Sequence, residues 1–554
     1  MTSVSLAAIG LAIVDRRRRI GFIALFLLIA VALGLDFFHG IALGERDSAF
    51  HPLYRLRQSL AVAISRMHDP SSRGYLAYGS VEKVLDENGF AIFNDEPGPH
   101  LDLAGWEKLL GDGQGLDRII KEALEVPIDP SLAPQIIQAN ELGFADYIEL
   151  SFRLFGSRIA SLYDFFFAIV VVSGALYVLQ FRRRPFALFL LVLILAELYF
   201  LENYARLWGI QLNSITNSRL FSGISLLPAL HVLLVLWQRA PPRIPVVAGV
   251  IAQSVIFAFL LSCRVEVAWQ LAAVIAVAGG MGLRQLLSPD PPSRHLARRL
   301  LPLWPAAALA LVAAAYVTTA NASADARYAT EPKTHIVWHE VMIGLLEASP
   351  PLYEEYAGTD DSLGDQMVYS AVSHDLTARN DMSSPIAIRL PNGQIVADLS
   401  RGWSEYDRLV QSLVFRIVAD HPLEVLAESK NKIVEQIDAF VRPGSPVMTW
   451  NTLRVAIILV AIAALACMAA GGWTIDRRPR RDALTLGAVL LLFALVTPMI
   501  HASMLSIGTL FVYLGAIALA IISGLQLAAE GLIACVAKAA PSPPPGKALP
   551  PGRP

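Results

Sequence analysis

Long apolar stretches separated by short arginine-bearing loops set the pattern of this chain, and two extended polar segments interrupt it. A helix needs about 20 mostly apolar residues to cross about 30 Å of hydrocarbon. Ten stretches meet that requirement, near Ile20–Leu43, Ala160–Phe181, Pro185–Glu202, Leu220–Trp237, Ile244–Ser262, Val267–Leu287, Leu301–Ala320, Thr452–Trp473, Ala483–His501 and Ile507–Leu527. The pattern predicts an all-α polytopic membrane protein with about ten transmembrane helices. The first stretch follows Arg16–Arg19 and lacks a small-residue cleavage site, so it reads as an uncleaved signal anchor.

Orientation follows from arginine, because short cytoplasmic loops retain basic residues. The clusters are Arg16–Arg19, Arg182–Arg184, Arg239 with Arg243, Arg294 with Arg298 and Arg299, and Arg477–Arg481 around Pro479. Threading ten spans places every cluster on one side and both termini in the cytoplasm. The segments are then a cytoplasmic N-terminus (1–19), a first transmembrane helix (20–43), a first extracytoplasmic loop domain (44–159), transmembrane helices two to seven (160–320), a second extracytoplasmic domain (321–451), helices eight to ten (452–527) and a Pro-rich cytoplasmic tail (528–554).

Both outer segments have the composition of folded structure. Helical spacing of apolar residues appears at Leu53–Ile64, Leu116–Leu124 and Thr334–Leu346, and again from His421 to Phe440. The run IAIRLPNGQIVADL alternates apolar and polar residues about Asn392-Gly393, which predicts a β-hairpin and makes the second domain α+β.

Composition agrees with the hydrophobic pattern: 55% of the 554 residues are hydrophobic and 17% charged, with a mean hydropathy of +0.51. Soluble domains carry about a quarter charged residues. The net charge of −2 supplies no basic field for nucleic acid. Cys263, Cys467 and Cys535 lie in or beside apolar segments, so the outer segments contain neither a disulfide framework nor a thiolate zinc site. Arginine-, alanine- and proline-rich usage without an organellar signal points to a bacterial inner (plasma) membrane.

Long outer loops after the first and seventh spans resemble the layout of the GT-C superfamily, polytopic membrane glycosyltransferases that use polyprenyl-phosphate-linked sugars. Acidic residues open the first loop in GERDSAFHPLY, and ELSFRLFGSRIASLYDFFF is similar to the amphipathic approach to the second span in that family. HPLEVLAESKNKI is similar to the helix that often precedes the eighth. The resemblance implies a GT-C-like fold and transfer of a sugar from a polyprenyl phosphate to an envelope glycan, lipid or protein. One departure is that Glu45 and Asp47 are separated by Arg46, where family members commonly carry adjacent acidic residues.

Such a transfer needs a base for the acceptor proton and positive charge for the departing phosphate. Asp47 is the candidate base, with Glu45 second; Asp47 could equally cap a following helix. Arg46, Arg206, Arg219 and Arg264 are predicted at the outer interface as a phosphate clamp, the alternative being that they snorkel to lipid headgroups. In THIVWHE, His335 and His339 share a helical face, but Glu340 lies outside the pair and not between the histidines as in a zinc peptidase. They read as acceptor-groove residues or as ordinary hydrogen-bonding side chains. Trp338, Trp403, Tyr353 and Tyr356 offer sugar-stacking or interfacial faces. No cofactor is indicated, although a divalent metal is compatible with the chemistry. Asp36, His39, Asp164, Glu197 and His231 are ionisable residues within spans, weighted toward the outer half. That distribution ranks a lipid-linked enzyme above a non-catalytic transporter or an assembly or binding protein.

The threading has a direct test. Cysteine substitutions at Glu45 and Trp403 are expected to react with an impermeant reagent from the same, outer face, and labelling from opposite faces would abolish a cavity shared by the two loops.

Overall fold

The computed structural model describes residues 53–69, 74–90, 115–132, 134–136, 142–182, 220–264, 267–287, 300–326, 337–358 and 365–425, with residue 427 and isolated positions between 184 and 195. The predicted spans at Ile20–Leu43 and from Thr452 onward, most of Pro185–Glu202, the helix beyond residue 427 and the Pro-rich tail lie outside these residues.

The first polar segment contributes α1 (Leu53–His68), β1 (Leu76–Ala77), α2 (Gly79–Leu85) running into a π-turn (Asp86–Phe90), α3 (Gly115–Glu125), β2 (Gln135–Ile136) and α4 (Leu142–Phe155). In α1, Leu56, Leu60, Ala63 and Ile64 fall on one face and are buried. Arg66 and His68 stand in its last turn, where cations complement the carbonyl end of the helix dipole. Polar links then fix its neighbours. Arg57 forks onto Asp86 at 2.5 and 2.7 Å, and an imidazole nitrogen of His68 bonds the Ala123 carbonyl at 2.9 Å. The short antiparallel pair β1–β2, with Leu76 opposite Ile136, joins residues sixty positions apart.

The apolar bundle contains α5 (Ala160–Phe181), α6 (Leu220–Ile224), α7 (Leu226–Trp237), α8 (Ile244–Cys263), α9 (Ala268–Leu286), and a 3-10 turn (Leu301–Leu303) leading into α10 (Trp304–Ser323). Among the described residues, three helices, Ala160–Phe181, Ile244–Cys263 and Leu301–Ser323, are long and apolar enough to cross a membrane. Each buries one side and leaves large aliphatic groups on another, such as Leu179 at 65%, Ile244 at 86% and Leu311 at 71% exposure. A water-facing helix would place charge there, whereas hydrocarbon asks for these residues. Inside, Ser173 Oγ donates to Gln253 Oε1 at 2.7 Å while Gln253 Nε2 donates to the Ser173 carbonyl at 2.9 Å, tying α5 to α8. Side-chain hydrogen bonds of this kind join helices whose apolar surfaces gain little from meeting one another in lipid. The sequence predicts one span from Leu220 to Trp237; the structure breaks it at Ser225 into α6 and α7.

Glycine sets the closest approach of α4 to α8. A Cβ added at Gly143 would fall 2.5 Å from the Ser262 carbonyl carbon, and the Cys263 thiol donates to the Gly143 carbonyl at 3.2 Å. A second close point is Gly74, at φ +102°, whose carbonyl accepts the Asp325 N–H at 3.1 Å beyond the end of α10.

The second polar segment has its own core, formed by α11 (Val337–Ala348), α12 (Pro350–Ala357), α13 (Asp365–Arg379), a hairpin of β3 (Ala387–Arg389) and β4 (Ile395–Ala397), and α14 (Trp403–Asp420). Ser349 caps α12 through the Leu352 N–H, ahead of Pro350 in the first turn. The predicted hairpin is present, with Ile388 opposite Val396. Its connection is longer than a two-residue turn: Leu390 N–H donates to the Gln394 carbonyl at 2.8 Å, and Gly393 adopts φ +88°. Thr377 and Ser373 hydroxyls bond the β4 backbone and hold the hairpin on α13. Asp375, buried, receives Arg416 at 2.7 Å and also Arg379, linking α13 to α14.

Gly143→Val is expected to lower stability by about 1–3 kcal/mol, the usual cost of overpacking a close contact. Thermal unfolding of the detergent-solubilised chain measures it, and an unchanged midpoint would mean that α4 and α8 are not held in this contact.

Candidate functional site

A cavity of about 730 Å³ opens between the first-segment helices and the apolar bundle. Residues at one end are Arg66, Tyr75, Asp146, Glu149 and Arg153; apolar walls follow from Phe165, Ile169 and Val172 of α5, with Val255, Ile256 and Phe259 of α8. Helix α10 adds Tyr316, Thr319, Ala320 and Ser323. Its size falls within the range of small-molecule sites.

The periodicity of α4 accounts for the polar end. Phe144, Tyr147, Ile148, Ser151 and Phe152 are buried, and Asp146, Glu149 and Arg153, at intervals of three and four, occupy the other face toward the cavity. Tyr147 locks that face in place by donating to the Leu162 carbonyl within a cluster of Phe165, Phe221 and Phe259 rings. On α10, Thr319 and Ser323 are four residues apart and so share the cavity side with Tyr316.

The charges form a closed network. Arg66 Nη1 lies 2.5 Å from Asp146 Oδ1 and its Nε 3.0 Å from Glu149 Oε2. Tyr75 donates its hydroxyl to Asp146 Oδ2 at 2.9 Å, and Arg153 Nε donates to Glu149 Oε1 at 2.8 Å. The Arg66 guanidinium also lies 5.2 Å from the Tyr75 ring centre. Every carboxylate oxygen therefore has a cationic or hydroxyl partner, and two guanidiniums balance two carboxylates. Burial opposes the Arg66 charge, but Asp146 and Glu149 outweigh it and hold its pKa above the ordinary arginine value. Burial and the neighbouring Asp146 charge push the Tyr75 hydroxyl up, so it stays a neutral donor.

The cavity lies near the N-terminal half of α5 and the C-terminal ends of α8 and α10. The opposite ends of the bundle carry Arg182 and Arg184 after α5, Arg239 after α7, Arg243 before α8 and Arg284 in the last turn of α9.

None of the site residues expected from the sequence that the structure describes lines this cavity. Asp47, Glu45, Arg46, Arg206, Arg219 and His335 are outside the described residues. Arg264 is described and buried, ending α8, where its N–H donates to the Leu260 carbonyl; it does not line the cavity. His339 is buried in the second core, with Nδ1 2.6 Å from the Tyr406 hydroxyl. Trp338 packs against Phe415 at 5.1 Å between ring centres. Tyr356 is likewise buried, and Trp403 meets Tyr406 edge to face, so these rings mainly build the core. No group of three His, Cys, Asp or Glu side chains is arranged to hold a metal among the described residues.

Sequence reasoning missed Arg66, Tyr75, Asp146, Glu149, Arg153, Thr319 and Ser323. A signal was present in ELGFADYIELSFRLF, whose charged residues keep one helical face, but nothing in one sequence pairs that face with Arg66 eighty residues earlier. Comparison of the chain with protein-family profiles, curated proteins and solved structures finds no match.

Arg66→Gln removes the arginine paired with Asp146 and leaves Glu149 with Arg153 alone, both in a half-buried setting. The expected cost is about 1–3 kcal/mol, measured as a lower thermal midpoint. Arg66→Lys should recover only part of it, because an ammonium cannot present two planar donors to two carboxylates.

Proposed function

We propose that this protein is a GT-C-like membrane glycosyltransferase, transferring a sugar from a polyprenyl-phosphate donor to an envelope glycan, lipid or protein on the extracytoplasmic face of a bacterial inner membrane. The reading includes ten spans, cytoplasmic termini and two extracytoplasmic domains. It is supported chiefly by the cavity, whose charged rim continues into apolar walls made by the three helices that, among the described residues, are long and apolar enough to cross a membrane. Such a site suits an amphiphile that arrives through the lipid. Its distance from the arginine-bearing helix ends also favours the outer leaflet under the positive-inside rule.

In the proposed reaction, an acceptor hydroxyl attacks the anomeric carbon as the bond from that carbon to the phosphate oxygen breaks. Asp47 takes the hydroxyl proton, with Glu45 the second candidate base. The leaving group is the polyprenyl phosphate anion, whose charge Arg46, Arg206, Arg219 or Arg264 would stabilise. His335 remains the candidate for acceptor contacts from the second segment, since His339 is buried in that segment's core and Trp338 packs on Phe415.

A second reading is a non-catalytic protein that binds or moves a lipid-linked intermediate. It is favoured by one observation: Asp146 and Glu149 are both engaged by ion pairs, so neither is free to act as a base in this state.

Membrane vesicles bearing the wild type or Asp47→Asn, supplied with a panel of polyprenyl-phosphate sugars, test the assignment. Turnover by the wild type and a loss of about 100-fold or more in the variant are expected of a general base. Equal turnover removes Asp47 from the mechanism, and a wild type inactive with every donor favours the second reading.

A further inference from the structure

The cavity's charge balance bears on which amphiphile it accepts. A phosphate site normally offers uncompensated guanidinium or ammonium groups. Here Arg66 is shared between Asp146 and Glu149, and Arg153 lies on Glu149, so an incoming phosphate would have to displace a carboxylate and leave it beside another anion. Like charges so placed repel, and in this half-buried setting water screens them poorly. The same groups suit hydroxyls well. Carboxylate oxygens keep further lone pairs for O–H donors, arginine keeps N–H groups beyond these ion pairs, and the facing wall carries Tyr316 with Thr319 and Ser323, whose hydroxyls donate back to the Ala315 and Ala320 carbonyls and keep their oxygens as acceptors. Phe165 and Phe259 supply flat apolar surface below them, and Val172 and Val255, both about half exposed, continue the wall toward the bilayer interior. Val172 lies twelve residues into the helix that begins at Ala160, about 18 Å at 1.5 Å per residue. That depth suits acyl chains more than a second polar group.

We propose that this cavity binds the uncharged, sugar-bearing head of a membrane glycolipid, with its acyl chains along Val172 and Val255. Assigning that glycolipid as the acceptor rests on the sugar-transfer reading; the preference for a neutral sugar head does not. The cavity would thus be separate from the site that holds the phosphate end of the donor.

The full chain is reconstituted in phosphatidylcholine nanodiscs containing equal amounts of monoglucosyl diacylglycerol and phosphatidic acid with the same acyl chains. Lipids retained on the released protein are counted by native mass spectrometry. The wild type is expected to retain the glucolipid over phosphatidic acid by about tenfold, the effect of roughly one well-placed polar interaction. Val172→Trp, which fills the apolar slot from a lipid-facing position, should abolish that selective retention. Asp146→Asn combined with Glu149→Gln frees both guanidiniums and should move the preference toward phosphatidic acid. Equal retention of the two lipids by the wild type, preference for phosphatidic acid, or insensitivity to Val172→Trp would overturn the proposal. If the double variant does not fold, the wild-type ratio and Val172→Trp still decide it. Because no sugar is transferred in this experiment, failure of the transferase reading leaves its outcome unaffected.

Discussion

The Arg66 guanidinium, held between Asp146 and Glu149, is the interaction on which the arrangement of the first polar segment against the apolar bundle depends. A lone charge in that position would carry a desolvation penalty of several kcal/mol, and so would either carboxylate. Together they are tolerated, and the geometry that makes them tolerable fixes α1 against α4. Since α4 packs on α5 and α8 through Tyr147 and Gly143, the ion network also positions the polar helices on the apolar ones. Its contribution is registration as well as stability, because one guanidinium can meet both carboxylates only when α1 and α4 sit in this one relative position.

Around that point the structure divides by solvent. Bundle helices expose aliphatic side chains such as Leu179 and Leu311, while α1 and α4 place their exposed or half-buried charges together. Gln253 and Ser173 join helices where apolar burial gives little preference for one neighbour over another. The second core follows ordinary globular rules instead, with Met342, Val368, Val410 and Ile417 buried from facing helices and Asp375 neutralised by two arginines.

Features written in local spacing were legible in the sequence. Ala160–Phe181 has the predicted bounds, Ile244–Cys263 differs by one residue at its end, and both the helix from Leu53 and the hairpin around Asn392-Gly393 are present. Helices α13 and α14 were not anticipated, because their apolar positions are interrupted by polar ones and their burial depends on each other. The cavity was harder still. Arg66 meets Asp146 across eighty residues, and Tyr75 reaches the same carboxylate from a loop in the left-handed region of backbone space. An isolated sequence shows helical faces but not which two faces meet. Candidate residues chosen by motif, among them His339 and Trp338, turned out to include side chains used in packing.

The backbone clasp at Gly74 has a mechanical consequence. It fastens the strand-like turn carrying Tyr75 to Ala324 and Asp325, the residues that follow α10. A pull on those residues would be transmitted through two peptide groups to the phenol resting on Asp146. A displacement of Asp325 would thus reach the cavity rim through one backbone hydrogen bond and the peptide that joins Gly74 to Tyr75.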